Sequence, residues 1–310
     1  MFMLKLKAWL EGVDPYAIHR IAFHKALFIS TVMVYVYWIF HPQNFVSFVT
    51  PFLLIFFYEL PIVNSFQKKD NLLLFIAASL LFVNITFDLI YPFKFTFFFY
   101  SIFFFVVLHK IVLNYFYAFK NLSMLIIGAG AIILNMSPSS NFQVVYDMVY
   151  SMMLSLIALI ICLRIAPNRY FEVWKRALQN YIECLEADIE ASLKEGRFSA
   201  IQDEITRFEL VRNYQCLVEK KYILPTFRIA NSIRNIQLSL DNLYYEEKNN
   251  HFWGEVKMCL NQFKHHLARS SPYEPQFEHL TPKTTLQQYV LDCLTNGFTH
   301  WNRLCNARFN

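Results

Sequence analysis

The run 72-LLLFIAASLLFVNITFDLIY-91 decides the fold. Its twenty residues carry one formal charge, at Asp88. A bilayer core about 30 Å thick is crossed by about 20 mostly apolar helical residues, so this run predicts a membrane-spanning helix. Working outward, five more runs of the same kind predict spans over about Ile21–Phe40, Phe45–Phe66, from Phe95 to between Leu108 and Phe119, Leu122–Met136 and Val144–Ile165. Two prolines, Pro51 and Pro61, fall inside the second run. Membrane helices tolerate proline where neighbours satisfy the freed carbonyls, so that helix is expected to be bent or broken. Twenty residues precede the first run, which is too long for a signal-peptide core, so it is expected to be retained.

The apolar character is confined to one half of the chain. Of 33 Phe, 24 lie in residues 1–165, which hold only 10 Lys/Arg and 6 Asp/Glu. Residues 166–310 hold 18 Lys/Arg and 17 Asp/Glu. The two halves therefore read as a transmembrane domain (1–165) and a soluble domain (166–310). The overall composition, 56% hydrophobic and 16% charged with a net charge of +5, excludes a disordered chain and a highly charged nucleic-acid binder.

Basic residues favour the cytoplasmic side of a membrane. They cluster at Lys5, Lys7 and Arg20, at Lys68 and Lys69, at Lys110 and Lys120, and at Arg164, Arg169, Lys175 and Arg176. The alternate connections, His41-Pro42-Gln43-Asn44 and Ser137-Pro138-Ser139-Ser140-Asn141, have no Lys or Arg, and the turn between the third and fourth runs has only Lys94. Both termini are thus expected in the cytoplasm. The six Cys have no CxxC spacing and are expected to be free thiols there.

In the second half, Phe171, Trp174, Leu178, Tyr181, Leu185, Ile189 and Leu193 recur at helical spacing and mark one buried face of a helix of about 27 residues. Further helices are expected over Ser199–Ile223, stopped by Pro225, then Thr226–Glu247, Phe252–Ser270 and Thr284–Arg308, packed as an antiparallel bundle. The carboxylates Glu183, Glu186, Asp188 and Glu190 read as a solvated helix surface. The fold class expected is therefore an all-α membrane protein, six transmembrane helices followed by a cytoplasmic helical bundle. No phosphate loop, GxSxG, HExxH or Walker pattern is present, so neither an enzyme nor a cofactor or metal site is expected.

Chemistry is expected instead at ionisable residues within the apolar runs, each of which costs roughly 2.5–3.5 kcal/mol to insert. Glu59 lies between Pro51 and Pro61, about 10 Å from the Phe66 end of its run, too far for a short side chain to reach water. Burial raises a carboxyl pKa towards neutrality, so Glu59 suits proton coupling or an ion pair with Lys25 or Lys110. Asp88, with Asn84 one turn away on the same face, is a second candidate. Lys25, beside His24, and Lys110, beside His109, are the candidate cations, each with a position at the headgroups as the simpler role. Asp147 opens the sixth run. Gly128 and Gly130 in the fifth run are small residues that let helices approach closely, or line a path.

The order of parts resembles one repeat of the fusaric acid resistance/aromatic acid exporter superfamily. The local echoes are Arg20-Ile21-Ala22 opening the first run, Thr50-Pro51 in the second after the short polar turn His41-Pro42-Gln43, and Tyr115–Phe119 leading into the small-residue fifth run. The third run departs from the glycine-rich pattern of that group. The resemblance implies proton-driven efflux of small, often aromatic, organic acids across a bacterial inner membrane, a homodimer of single repeats, and a periplasmic adaptor partner. Arg20, Lys25 or Lys110 would then attract the anion, and Glu59 or Asp88 would carry the proton. Two other readings share the layout: a passive organic-anion channel, and a membrane scaffold whose cytoplasmic bundle binds a partner.

Overall fold

The computed structural model describes residues 9, 12–53, 55, 58, 63, 65–136, 142–195, 203–240, 242, 249–275 and 282–309. The protein is all-helical, with no strand among these residues. It divides into two compact units, His19–Pro167 and a second made of Met1–Ile18 with Asn168–Asn310.

In the first unit, α1 (Ile18–Phe40), α3 (Phe66–Ile90), α4 (Lys94–Tyr115) and α6 (Phe142–Ile165) are each long and apolar enough to cross a membrane. Four such helices make this a membrane-associated protein. Helix α1 is started by Asp14, whose carboxylate accepts from Ile18 N at 3.0 Å, and ends where His41 turns left-handed at φ 44° ahead of Pro42.

The second run is interrupted near Pro51, in keeping with a helix that its prolines were expected to bend or break. Asn44 caps α2 (Phe45–Val49) by accepting from Ser47 N at 3.0 Å. After five residues the chain tightens into a 3-10 turn over Thr50–Leu53. The cause is Pro51, which has no N–H to give back to the carbonyl of Ser47 and whose ring crowds that carbonyl. Of the remainder, Ile55, Tyr58 and Val63 are buried, whereas Glu59 and Pro61 lie outside the described residues.

Helix α3 starts six residues earlier than Leu72. Ser65 caps it by accepting from Lys68 N at 3.2 Å, which draws Lys68, Lys69 and Asp70 out of the expected loop and into the start of the helix. Helix α5 (Leu122–Met136) has 15 residues, about 22 Å at 1.5 Å per residue, and so falls short of the bilayer core by itself. Arg164 near the end of α6 pairs with Asp70 near the start of α3 at 2.8 Å, so the two helices run antiparallel with those ends together. The core joins Ile29 and Met33 of α1, Phe48 of α2, Ile76, Val83 and Phe87 of α3, Leu108 and Val112 of α4, and Met152 and Leu159 of α6. The outer face of α4 is covered with exposed Phe95, Phe98, Phe99 and Phe103, as suits a lipid-facing helix.

In the second unit, α7 (Tyr170–Glu195) packs on α8 (Asp203–Gln215) and α10 (Asn250–Arg269), and α9 (Lys220–Leu240) packs on α11 (Thr285–Phe309). The expected α7 face is the buried one: Phe171, Trp174, Leu178, Tyr181, Leu185 and Ile189 are all 2% exposed or less. Helix α7 also buries Glu186 and Asp188, which were expected on a solvated surface. Glu186 pairs with Lys264 of α10 at 2.7 Å. Pro225 does not stop a helix. It is the sixth residue of α9, where it removes one backbone bond, that to the Lys221 carbonyl. All six cysteines are free thiols.

Glu190 on α7 accepts from Lys194 at 2.6 Å and from Lys257 of α10 at 2.7 Å. Hydrogen bonds from Lys194 and then Lys257 hold its carboxyl down to about 2, from an ordinary 4.5. A carboxyl lowered by folding stabilises the fold above its unfolded pKa, and that contribution disappears as pH falls through the folded value. The prediction is that wild type and Glu190→Gln differ in urea midpoint at pH 6 and converge between about pH 4.5 and pH 2. The difference is small, because the carboxylate is fully exposed and solvent screens it.

Candidate functional site

Asn84 and Asp88 lie on α3 at i, i+4, one above the other on a helix face. Both are buried, at 2% and 5% exposure. They open onto a narrow crevice whose other walls are Gly130, Ile133 and Leu134 of α5 and Val144 and Met148 of α6. The crevice is too narrow to seat a water molecule. The Asn84 amide Nδ2 donates to the sulfur of Met152 at 3.5 Å, while its Oδ1 is buried with no hydrogen-bond partner. No cation pairs with Asp88 among the described residues.

Gly130 sets the width of this crevice. A Cβ built on it would lie well inside contact distance of Val83 Cγ1 and 3.4 Å from Phe87 Cδ2. Gly128, by contrast, faces open space, with nothing within 4 Å of such a Cβ. The two glycines singled out together therefore differ: Gly130 is the close helix approach, and Gly128 is not. Alanine gains up to about 1 kcal/mol of helix propensity over glycine, whereas overpacking costs about 1–3 kcal/mol. Gly130→Ala is thus predicted to lower the thermal midpoint in detergent, and Gly128→Ala to leave it unchanged or raise it.

The candidate cations separate from this site and from each other. Lys25 is buried on α1, at 8% exposure. Arg20 lies half-buried one turn and a half before it, and Lys110 is exposed near the end of α4. Pro51 is the second residue of the 3-10 turn. A buried cation that sequence reasoning placed in a loop is Lys69, 1% exposed, with Nζ 5.1 Å from the centre of the Tyr58 ring. Nothing in the Lys68-Lys69-Asp70 run separates the buried lysine from its exposed neighbour. Lys69 and Asp88 are nineteen residues apart on one helix, about 28 Å, so α3 carries a buried cation near one end and a buried carboxyl near the other. Between α4 and α5, His109 Nδ1 lies 3.0 Å from the Oγ of fully buried Ser123.

A second cavity, of about 260 Å³, lies between α1 and α2 and is lined by Tyr37, Phe45, Phe48 and Phe52 with Met33 and Ser30. Among the described residues, no group of three or more His, Cys, Asp or Glu side chains could hold a metal ion. Set against protein-family models, curated proteins and solved structures, the chain matches none.

Proposed function

We propose that this protein exports small organic acids across a bacterial inner membrane, driven by protons. The observation that carries the reading is Asp88, a carboxyl buried beside Asn84 in an apolar helix, where a fixed charge is expensive and a titrating group has a use. The likeness in layout to the fusaric acid resistance/aromatic acid exporter group supplies the substrate class and the direction. In this reading six segments cross the membrane, α2 and the chain after it forming the second crossing and α5 the fifth. Residues 166–310 form a cytoplasmic helical domain, both termini are cytoplasmic, and two copies pair. A periplasmic adaptor carries the substrate onward. The cavity of aromatic side chains between α1 and α2 suits a ring, and Lys25 on α1 suits the acid's charge. Glu59 keeps its place as a second carrier of protons.

The test is reconstitution in liposomes with radiolabelled aromatic and aliphatic carboxylates. An imposed proton gradient should drive their accumulation above empty liposomes. No accumulation of any of them would end the exporter reading.

Buried Lys25 and Lys69 favour a second reading, a passive anion channel, because cations inside the helices lower the barrier for anions. Carboxylate currents across a planar bilayer without a proton gradient, unchanged by Asp88→Asn, would select it.

A further inference from the structure

Asn84 presents a buried acceptor with no donor, and Asp88 presents another acceptor to the same crevice. The two side chains sit one turn apart on the same face of α3, and leaving a buried acceptor unsatisfied costs about 1–3 kcal/mol. Turning the amide over would give up the Nδ2 bond to the Met152 sulfur and set an oxygen against that sulfur, also an acceptor. Water cannot bridge the pair, since the crevice does not admit one. A metal cation fits poorly, because hard cations take about six or more oxygens and the remaining walls are Gly130, Ile133, Leu134, Val144 and Met148. A proton on Asp88 satisfies both groups, the acid O–H donating to the Asn84 oxygen.

We infer that Asp88 is held as the neutral carboxylic acid by Asn84, whose Oδ1 accepts the acid's O–H. Asn84 is thus a positioning residue for the proton that the exporter reading assigns to Asp88, and the transport meaning of the pair rests on that reading. On loading, an O–H bond forms on Asp88 with a proton taken from water. On release, the proton returns to water, and the carboxylate and Asn84 Oδ1 must part, which gives the crevice a reason to open. The packed elements present little else that titrates. Helix α5 has no titratable side chain. Helix α6 lines the crevice with Val144 and Met148, with half-buried Asp147 adjacent to Met148. On α4 the groups towards this end are exposed Lys94 and Tyr100, which packs on Phe87, and on α3 itself exposed Tyr91.

The experiment is infrared difference spectroscopy of the purified full chain in lipid nanodiscs at neutral pH. Wild type should show a carboxylic-acid C=O band that is absent in Asp88→Asn. Asn84→Leu, which keeps the helix and the volume but removes the acceptor, should shift or abolish that band. Asn84→Ser, which restores an oxygen, should bring the band back towards its original position. Circular dichroism of each variant confirms that it is folded. No Asp88-dependent acid band, a band indifferent to Asn84→Leu, or a band removed by exchanging potassium for sodium at constant pH would each overturn the inference. The readout needs no substrate, so the acid band can be present even where every transport assay is negative.

Discussion

Asp88→Asn is expected to abolish accumulation of organic acid driven by a proton gradient while leaving substrate exchange at equal pH in place. The asparagine is nearly isosteric, so the contacts that α3 makes with α5 and α6 around Gly130 and Met148 are kept. What changes is that the side chain can no longer gain and lose a proton, and its amide can donate permanently to the Asn84 oxygen that is otherwise unpartnered. The substitution therefore mimics the protonated state and locks it. A transporter locked in one protonation state cannot convert a gradient into net movement, because a driving ion acts only through a difference in affinity between two states. Exchange of internal for external substrate needs no change of protonation and survives. The measurement is paired uptake in liposomes, one arm with an imposed pH gradient and one with substrate loaded on both sides. Full gradient-driven uptake by Asp88→Asn would remove Asp88 from coupling. Loss of both arms, with the variant still folded, would give it a role in binding instead.

Much of this was legible in the sequence, and the parts that were not share a cause. The apolar runs of α1, α3, α4 and α6 are long enough that bilayer thickness alone reads them. The i, i+4 spacing of Asn84 and Asp88 is a one-dimensional fact, and it survived into the site. Tertiary environment is what a single chain hides. Lys68 and Lys69 are chemically identical neighbours, yet only Lys69 meets the Tyr58 ring and is buried. Gly128 and Gly130 read as one small-residue stripe, yet only Gly130 faces Val83 and Phe87. Glu186 looked like a solvated surface because its burial depends on Lys264 of α10, more than sixty residues further on. Pro225 read as a stop, but it lies in the second turn of α9, where it frees only the Lys221 carbonyl and the helix continues past it.

The largest stability loss is expected from Trp301→Ala in α11. The indole is fully buried, its ring meets Phe263 edge-on at 6.2 Å, and its N–H donates to the carbonyl of Ser271 at 2.9 Å. Helix α10 ends at Ser270, which adopts φ 55°, and the residues after it have no helix or strand to satisfy their backbone. Helix α11 supplies the partners. Trp301 takes the Ser271 carbonyl, and Asn302 brackets Tyr273, accepting from its N at 2.7 Å and donating to its O at 2.8 Å. Tyr273 is thereby pinned with its ring on Phe263 and Phe298 and its hydroxyl on Gln262 at 2.9 Å. Emptying the indole site removes core volume and leaves the Ser271 carbonyl without its donor, a combined loss of about 3–5 kcal/mol from the cavity and about 1 kcal/mol from the hydrogen bond. Trp301→Phe keeps most of the ring and loses the N–H, so it should cost about 1–2 kcal/mol. Thermal unfolding of the full chain in detergent, followed by circular dichroism, separates the two. Equal midpoints for the alanine and phenylalanine variants would mean that the indole volume does not hold this unit together and that the hydrogen bond to the loop is the larger part.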